Sequence, residues 1–366
     1  MKQLSFVLVS LGLAACGDNG ALAPDAKLPT SNPPRAVVVA GDFKAAGVLT
    51  TLDPVTQEVK TNVAPAMAVG NDPMLRRDGH ELFVINRAEN NITILDDQSF
   101  ALVEQLGTGA DSNPQDVAVV GTKLYVPTYG TKGVTVLTRG STATKLIDLS
   151  AEDPDGKPNC ESAFTVGTDV YVACQLLDGF TAKVAGKVYV IDSKTDTVQP
   201  ARTVTLLHKN PFSLFERIPD GAPHGGDLVL STVEDFVAPG CVERFTPGTT
   251  ASSCWVSNVE LGGFATRAAF DASARITFFA VPTKYPAADL LAFDMPTDLL
   301  WAGALNPMTQ AIGDVAVCPS GDTVVFDASM TASGLRMYSG AAELTKAPLP
   351  IGIGNGFFST HGILCY

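Results

Sequence analysis

A unit of two alternating apolar strands joined by a polar turn recurs along this 366-residue chain. Its clearest copy is ELFVINRAENNITILD at 81–96, followed by a third strand over 102–106. The next copy reads KLYVPTYG at 123–130, GVTVL at 133–137 and KLIDL at 145–149. A third reads DVYVA at 169–173 and GKVYVID at 186–192. Two copies are opened by a short strand after an Asn-Pro turn, NPQDVAV at 113–119 and NPFSL at 210–214. Alternation with period two is the pattern of pleated strands, and repetition at this spacing marks a stacked or ring architecture. Hydrophobic residues make up 46% of the chain and charged residues 17%, so each unit can bury a core and a disordered chain is excluded. The 33 glycines and 24 prolines are spread along the chain, as many short strands joined by turns require.

The residue two places beyond each turn proline, or its equivalent, falls at Leu75, Asp116, Glu161, Ser213, Arg267, Asp314 and His361. The spacings are 41, 45, 52, 54, 47 and 47 residues, enough for four short antiparallel strands per unit. The string LYVPTYGTKGVTVL (124–137) is similar to the YVTN-type β-propeller repeat. The resemblance covers most of 36–366 and implies an all-β, seven-bladed propeller of four-stranded antiparallel blades. Residues 35–41, 47–52 and about 59–63 read as three strands that lack an innermost partner. The terminal segment 361–366 reads as a lone strand that supplies it, which leaves the ring without an open edge.

The N-terminus reads as an address. A basic start (Lys2) and a ten-residue apolar run over 4–13 suit a signal peptide and are too short to span a bilayer, which takes roughly 20 residues. The run ends in Leu13-Ala14-Ala15-Cys16, which resembles a bacterial lipobox. The resemblance implies cleavage after 1–15, lipid attachment at Cys16 and anchoring to a membrane of the bacterial cell envelope. Gly17 after the cysteine points to the outer membrane by the same resemblance. Residues 16–35, rich in proline and poor in large apolar groups, read as a tether.

Six further cysteines, Cys160, Cys174, Cys241, Cys254, Cys318 and Cys365, follow this export signal. An even count in an oxidising compartment implies disulfides, for which six cysteines allow fifteen connectivities. Cys160 and Cys174 flank one turn, and Cys241 and Cys254 bracket another. That leaves Cys318 for Cys365, two equivalent positions in neighbouring blades. Thiol metal ligands are the rival reading, but no C-x-x-C spacing is present.

Lys and Arg number 25 against 38 Asp and Glu, a net charge of −13, so nucleic acid is not an expected partner. There is no G-x-S-x-G elbow, P-loop or H-E-x-x-H. The run 352–356 (GIGNG) precedes a strand rather than a helix, and 152–156 (EDPDG) lacks EF-hand spacing. In a propeller the first residues of the innermost strands approach one mouth of the central channel. Asp116, Glu161, Arg267, Asp314 and His361 are therefore expected to converge there as ligand-binding groups, or to pair with Arg267 as a structural ring. The long segments 175–186 and 207–226 form a second candidate surface.

The expected function is a monomeric binding or scaffolding module for a protein, glycan or small ligand, presented from the membrane by its lipid anchor. The alternative is a lactonase-like hydrolase. In it Asp116, Glu161 and Asp314 would hold a divalent cation such as Ca²⁺, and His361 would transfer protons. No cofactor is otherwise expected.

Overall fold

A computed structural model describes residues 35–45, 47–234, 239–271, 276–284, 287–301, 303, 306–307, 312–354 and 362–366. These form seven antiparallel blades, each with four strands running from the axis outward. Blade 1 spans 73–107, blade 2 118–148, blade 3 160–198, blade 4 216–257, blade 5 267–300 and blade 6 312–343. Blade 7 combines the two ends of the chain: the terminal strand Ile363–Cys365 is innermost and is followed by Ala36–Gly41, Gly47–Leu52 and Val59–Lys60.

The apolar pattern explains this ring. Both faces of a middle strand are covered by neighbouring blades, so both sets of alternating side chains must be apolar. In Glu81–Asn86, Leu82 and Val84 pack with Val37, Val39 and Leu49 of blade 7. Phe83 and Ile85, on the opposite face, pack with Leu124 and Val126 of blade 2. The same sandwich recurs at each of the seven junctions among the described residues. The outermost strands meet solvent and are polar; in Thr144–Asp148 only Ile147 is buried. Gly133 shows why the turn positions matter. Its φ is 146° and a Cβ there would lie 2.5 Å from the Ile147 carbonyl oxygen, so only glycine fits.

Closure follows the expected scheme. The terminal strand pairs with Ala36–Gly41 through Ala36–Cys365, Val37–Leu364 and Val38–Ile363. Arg35 N donates to the Tyr366 carbonyl at 2.8 Å, and Tyr366 N donates to the Arg35 carbonyl at 3.0 Å. The three disulfides are Cys160–Cys174, Cys241–Cys254 and Cys318–Cys365. The third joins the innermost strands of blades 6 and 7, with Cα atoms 4.8 Å apart, and so bonds the closing strand to the ring.

Two strand expectations are corrected. The innermost strand of blade 4 is Glu216–Arg217, not 210–214; Pro211 makes only an isolated bridge to Thr232. The segment 175–186 is not plain loop, because Leu177–Asp178 and Thr181–Ala182 pair as a small hairpin. Among the described residues no helix is long and apolar enough to cross a membrane.

Candidate functional site

The structure sorts the residues expected at the mouth into two groups. The first is a belt of alternating charge across the axis. Arg76 grips Asp116 with two hydrogen bonds, Nε to Oδ1 at 2.7 Å and Nη2 to Oδ2 at 2.8 Å. Arg76 Nη1 lies 3.9 Å from Glu216 Oε1, Arg267 Nη2 lies 3.0 Å from the same oxygen, and Arg267 Nε lies 3.9 Å from Asp314 Oδ1. Blades 2, 1, 4, 5 and 6 are thus linked in that order.

The two aspartates also staple neighbouring blades. Asp116 accepts from its own Val117 N at 2.8 Å, from Ser162 Oγ at 2.8 Å and from Ala163 N at 2.9 Å in blade 3. Asp314 accepts from Val315 N and, in blade 7, from Ile363 N, both at 2.8 Å. Ser162 Oγ repeats the staple towards blade 4 by accepting from Phe215 N at 2.8 Å. Burial works against charge on the Arg76 guanidinium, but Asp116, and more distantly Glu216 and Asp314, hold its pKa raised. Burial raises the Asp314 carboxyl, opposed by Arg267 and the two backbone N–H groups.

These staples expose a register slip. The structural equivalents of Asp116 and Asp314 are Ser162 in blade 3 and Leu214 in blade 4, each one residue beyond the position expected from spacing. In blade 3 the cause is a β-bulge. The strand pairs Cys160 with Cys174 and Ser162 with Ala173, which leaves Glu161 as the extra residue. A bulge re-aims its side chain. Leu75 belongs to the core between blades 7 and 1, and Ser213 is buried with its Oγ accepting from Ser231 N. Neither faces the channel. His361 lies outside the described residues, as does Cys16.

Glu161 defines the second group, a mouth cleft of about 290 Å³ between blades 1 to 4. Asp72, Gln115 and Phe212 line it from the segments entering innermost strands, and Arg87, Tyr129, Gln175, Leu177 and Phe180 from the turns between second and third strands. Local chemistry fixes each one. Gly130 comes so close to the entering loop of its own blade that a Cβ would meet the Asp111 carbonyl at 2.0 Å. Tyr129 N donates to the Asn113 carbonyl there at 3.0 Å. Arg87 is ion-paired to Asp72 and donates from Nη1 to Gln115 Oε1 at 3.3 Å. Gln115 Nε2 donates to Asn113, and Gln175 Nε2 to the Pro211 carbonyl at 2.9 Å. Cys160 and Cys174 immediately precede Glu161 and Gln175, and their disulfide bonds the base of the bulge to the next strand.

Glu161 itself has no hydrogen-bond or ion-pair partner among the described residues. Burial pushes its carboxyl up to about 7, with Asp116 and Asp72 adding to the rise and Arg87 opposing it. Burial and the charge of Glu161 push the nearby Tyr129 phenol up to about 12. Phe180, at the tip of the small hairpin, is 91% exposed and lines the same cleft.

The donor set expected for a divalent cation does not fit. Asp116 and Asp314 are occupied by arginines and backbone N–H groups, and Glu161 faces the separate cleft. Among the described residues no three His, Cys, Asp or Glu side chains gather to hold a metal. Spacing missed Arg76, Glu216, Arg87 and Tyr129. The polar turn at 86–91, which shares a face with the strand starts, was the available signal for Arg87.

No protein-family model matches the chain, and no curated protein does. Solved structures do. A candidate 6-phosphogluconolactonase from Bacteroides uniformis superposes with a TM-score of 0.63 at 10% identity, over 92% of this chain and 100% of that one. The dihydro-heme d1 dehydrogenase NirN in complex with DHE gives 0.57 at 15% identity, over 90% and 75%. The β-propeller domain of Cps50 (Swd1) from Myceliophteria thermophila gives 0.57 at 10% identity, over 80% and 90%. At these identities the likeness is one of fold: the chain is a seven-bladed β-propeller.

Proposed function

We propose that this chain is an exported lipoprotein of the YVTN-repeat type whose propeller binds a small ligand in the mouth cleft around Glu161. One observation carries the reading. Glu161 is a half-buried carboxyl, without a partner among the described residues, in a cleft that also holds an exposed phenyl ring. A fold has no stability reason to place both there, whereas convergent polar groups beside apolar surface are what a ligand site needs. The three disulfides fit an oxidising, extracytoplasmic compartment. The lipobox-like Leu13–Cys16 string supports attachment to the cell envelope.

The hydrolase alternative draws on the candidate 6-phosphogluconolactonases for fold alone. It would need Asp116, Glu161 and Asp314 on one cation, but Asp116 and Asp314 are held by their own partners and Glu161 faces the separate cleft. A binding role is therefore preferred, and the belt is assigned to holding the ring together.

The test is a thermal-shift screen of neutral, cationic and anionic small molecules on wild type and on Phe180→Ala. Ligands that stabilise wild type and lose their effect in the variant support the cleft. A full screen whose hits ignore Phe180→Ala and Glu161→Gln sinks it. Palmitate labelling of wild type against Cys16→Ala tests the anchor.

A further inference from the structure

We infer that the mouth cleft recognises an organic ammonium group, with Glu161 as the counter-ion and the rings of Tyr129, Phe180 and Phe212 as the walls. This rests on the cleft being a ligand site and names what it takes.

Three side chains of the wall already direct donors at protein acceptors, although the buried Arg87 Nε has none among the described residues. Arg87 donates to Asp72 and Gln115, Gln115 donates to Asn113, and Gln175 donates to the Pro211 carbonyl. The acceptor Glu161 is not engaged. An incoming donor or positive charge would therefore meet an unengaged carboxylate in the cleft.

Charge points the same way. Asp72 cancels Arg87, so the charged groups lining the cleft sum to the single carboxylate of Glu161. The chain as a whole carries −13, which concentrates cations at its surface. Three aromatic rings and Leu177 supply apolar surface, and ring faces attract alkylammonium groups. A bare metal ion would use none of these rings. The cleft, at about 290 Å³, is at the small end of ligand pockets, which suits a compact head group.

The experiment is calorimetric titration of the full chain with choline and with its neutral carbon isostere, 3,3-dimethylbutan-1-ol. A neutral hexose is the third probe. The expected result is choline binding at least about tenfold tighter than the isostere. Glu161→Gln should weaken choline by a similar factor, and Phe180→Ala should weaken it several-fold. The exposed Glu58→Gln, on blade 7, should leave it unchanged. Glu161 holds no hydrogen bond whose loss would unfold the variant, and a melting curve checks that directly. Equal binding of choline and its isostere, untouched by Glu161→Gln, overturns the ammonium inference and leaves the cleft as a ligand site. Phe180-dependent binding of the hexose with no choline binding does the same. If no probe or screened compound responds to Phe180→Ala, the cleft itself falls.

Discussion

The axial belt and the mouth cleft use the same kinds of side chain at neighbouring positions and put them to opposite ends. In the belt every carboxylate has partners: Asp116 receives two guanidinium bonds, one hydroxyl and two backbone N–H groups. In the cleft one residue's offset places Glu161 beyond all of these. Partnership, more than charge or position near the axis, separates a group that holds the ring from one available to a ligand.

The sharpest way to break the comparison is to remove a belt carboxylate. Asp116→Ala leaves Arg76 buried without its counter-ion and frees the staple to blade 3. A loss of about 3–5 kcal/mol is expected, visible as a melting temperature lower by roughly 5 °C. A loss below 1 kcal/mol would show the belt to be ornamental. Next comes ring closure. Cys318→Ser breaks a bond across 47 residues, for which loop entropy predicts about 4 kcal/mol and engineered cases deliver somewhat less. Urea unfolding of the variant measures it, and an unchanged midpoint would mean that strand pairing alone closes the ring.

The cleft should respond differently. Glu161 is raised to about 7 in the fold, above its ordinary value of 4.5. The folded protein therefore holds this proton more tightly, and stability falls as pH rises from about 4.5 through 7. Glu161→Gln removes that penalty. It should stabilise the protein at pH 8 by up to about 2 kcal/mol and leave it unchanged near pH 4. Melting curves at the two pH values decide, and destabilisation at pH 8 would mean that Glu161 has a structural partner. The smallest effect belongs to Phe180→Ala, which should change stability by less than about 0.5 kcal/mol because the ring is 91% exposed. The same substitution should reduce ligand-induced stabilisation in step with its several-fold weaker binding.

The fold was largely legible in the sequence because its signals are local. ELFVIN and KLYVPT alternate within single strands, their apolar runs report two covered faces, and each short-range disulfide spans one hairpin. Even the third pair followed by elimination. The site was legible only in part. Asp116, Arg267 and Asp314 do meet at the axis. Glu161 was singled out as one of their column, whereas the bulge at Cys160–Ser162 moves it into the cleft. A period-two pattern cannot show one inserted residue, since everything after it still alternates. Arg76 and Glu216 escaped because their meeting depends on two strands from blades 1 and 4, separated by 140 residues of sequence.

Carboxyl footprinting tests the contrast most directly, with carbodiimide-activated coupling of glycine ethyl ester to the native protein followed by peptide mass spectrometry. Glu161 should be modified while Asp116 and Asp314 stay unmodified until the ring unfolds. Labelling of Asp116 or Asp314 as fast as Glu161, or a native Glu161 that never reacts, would contradict the division between a committed belt and an available cleft.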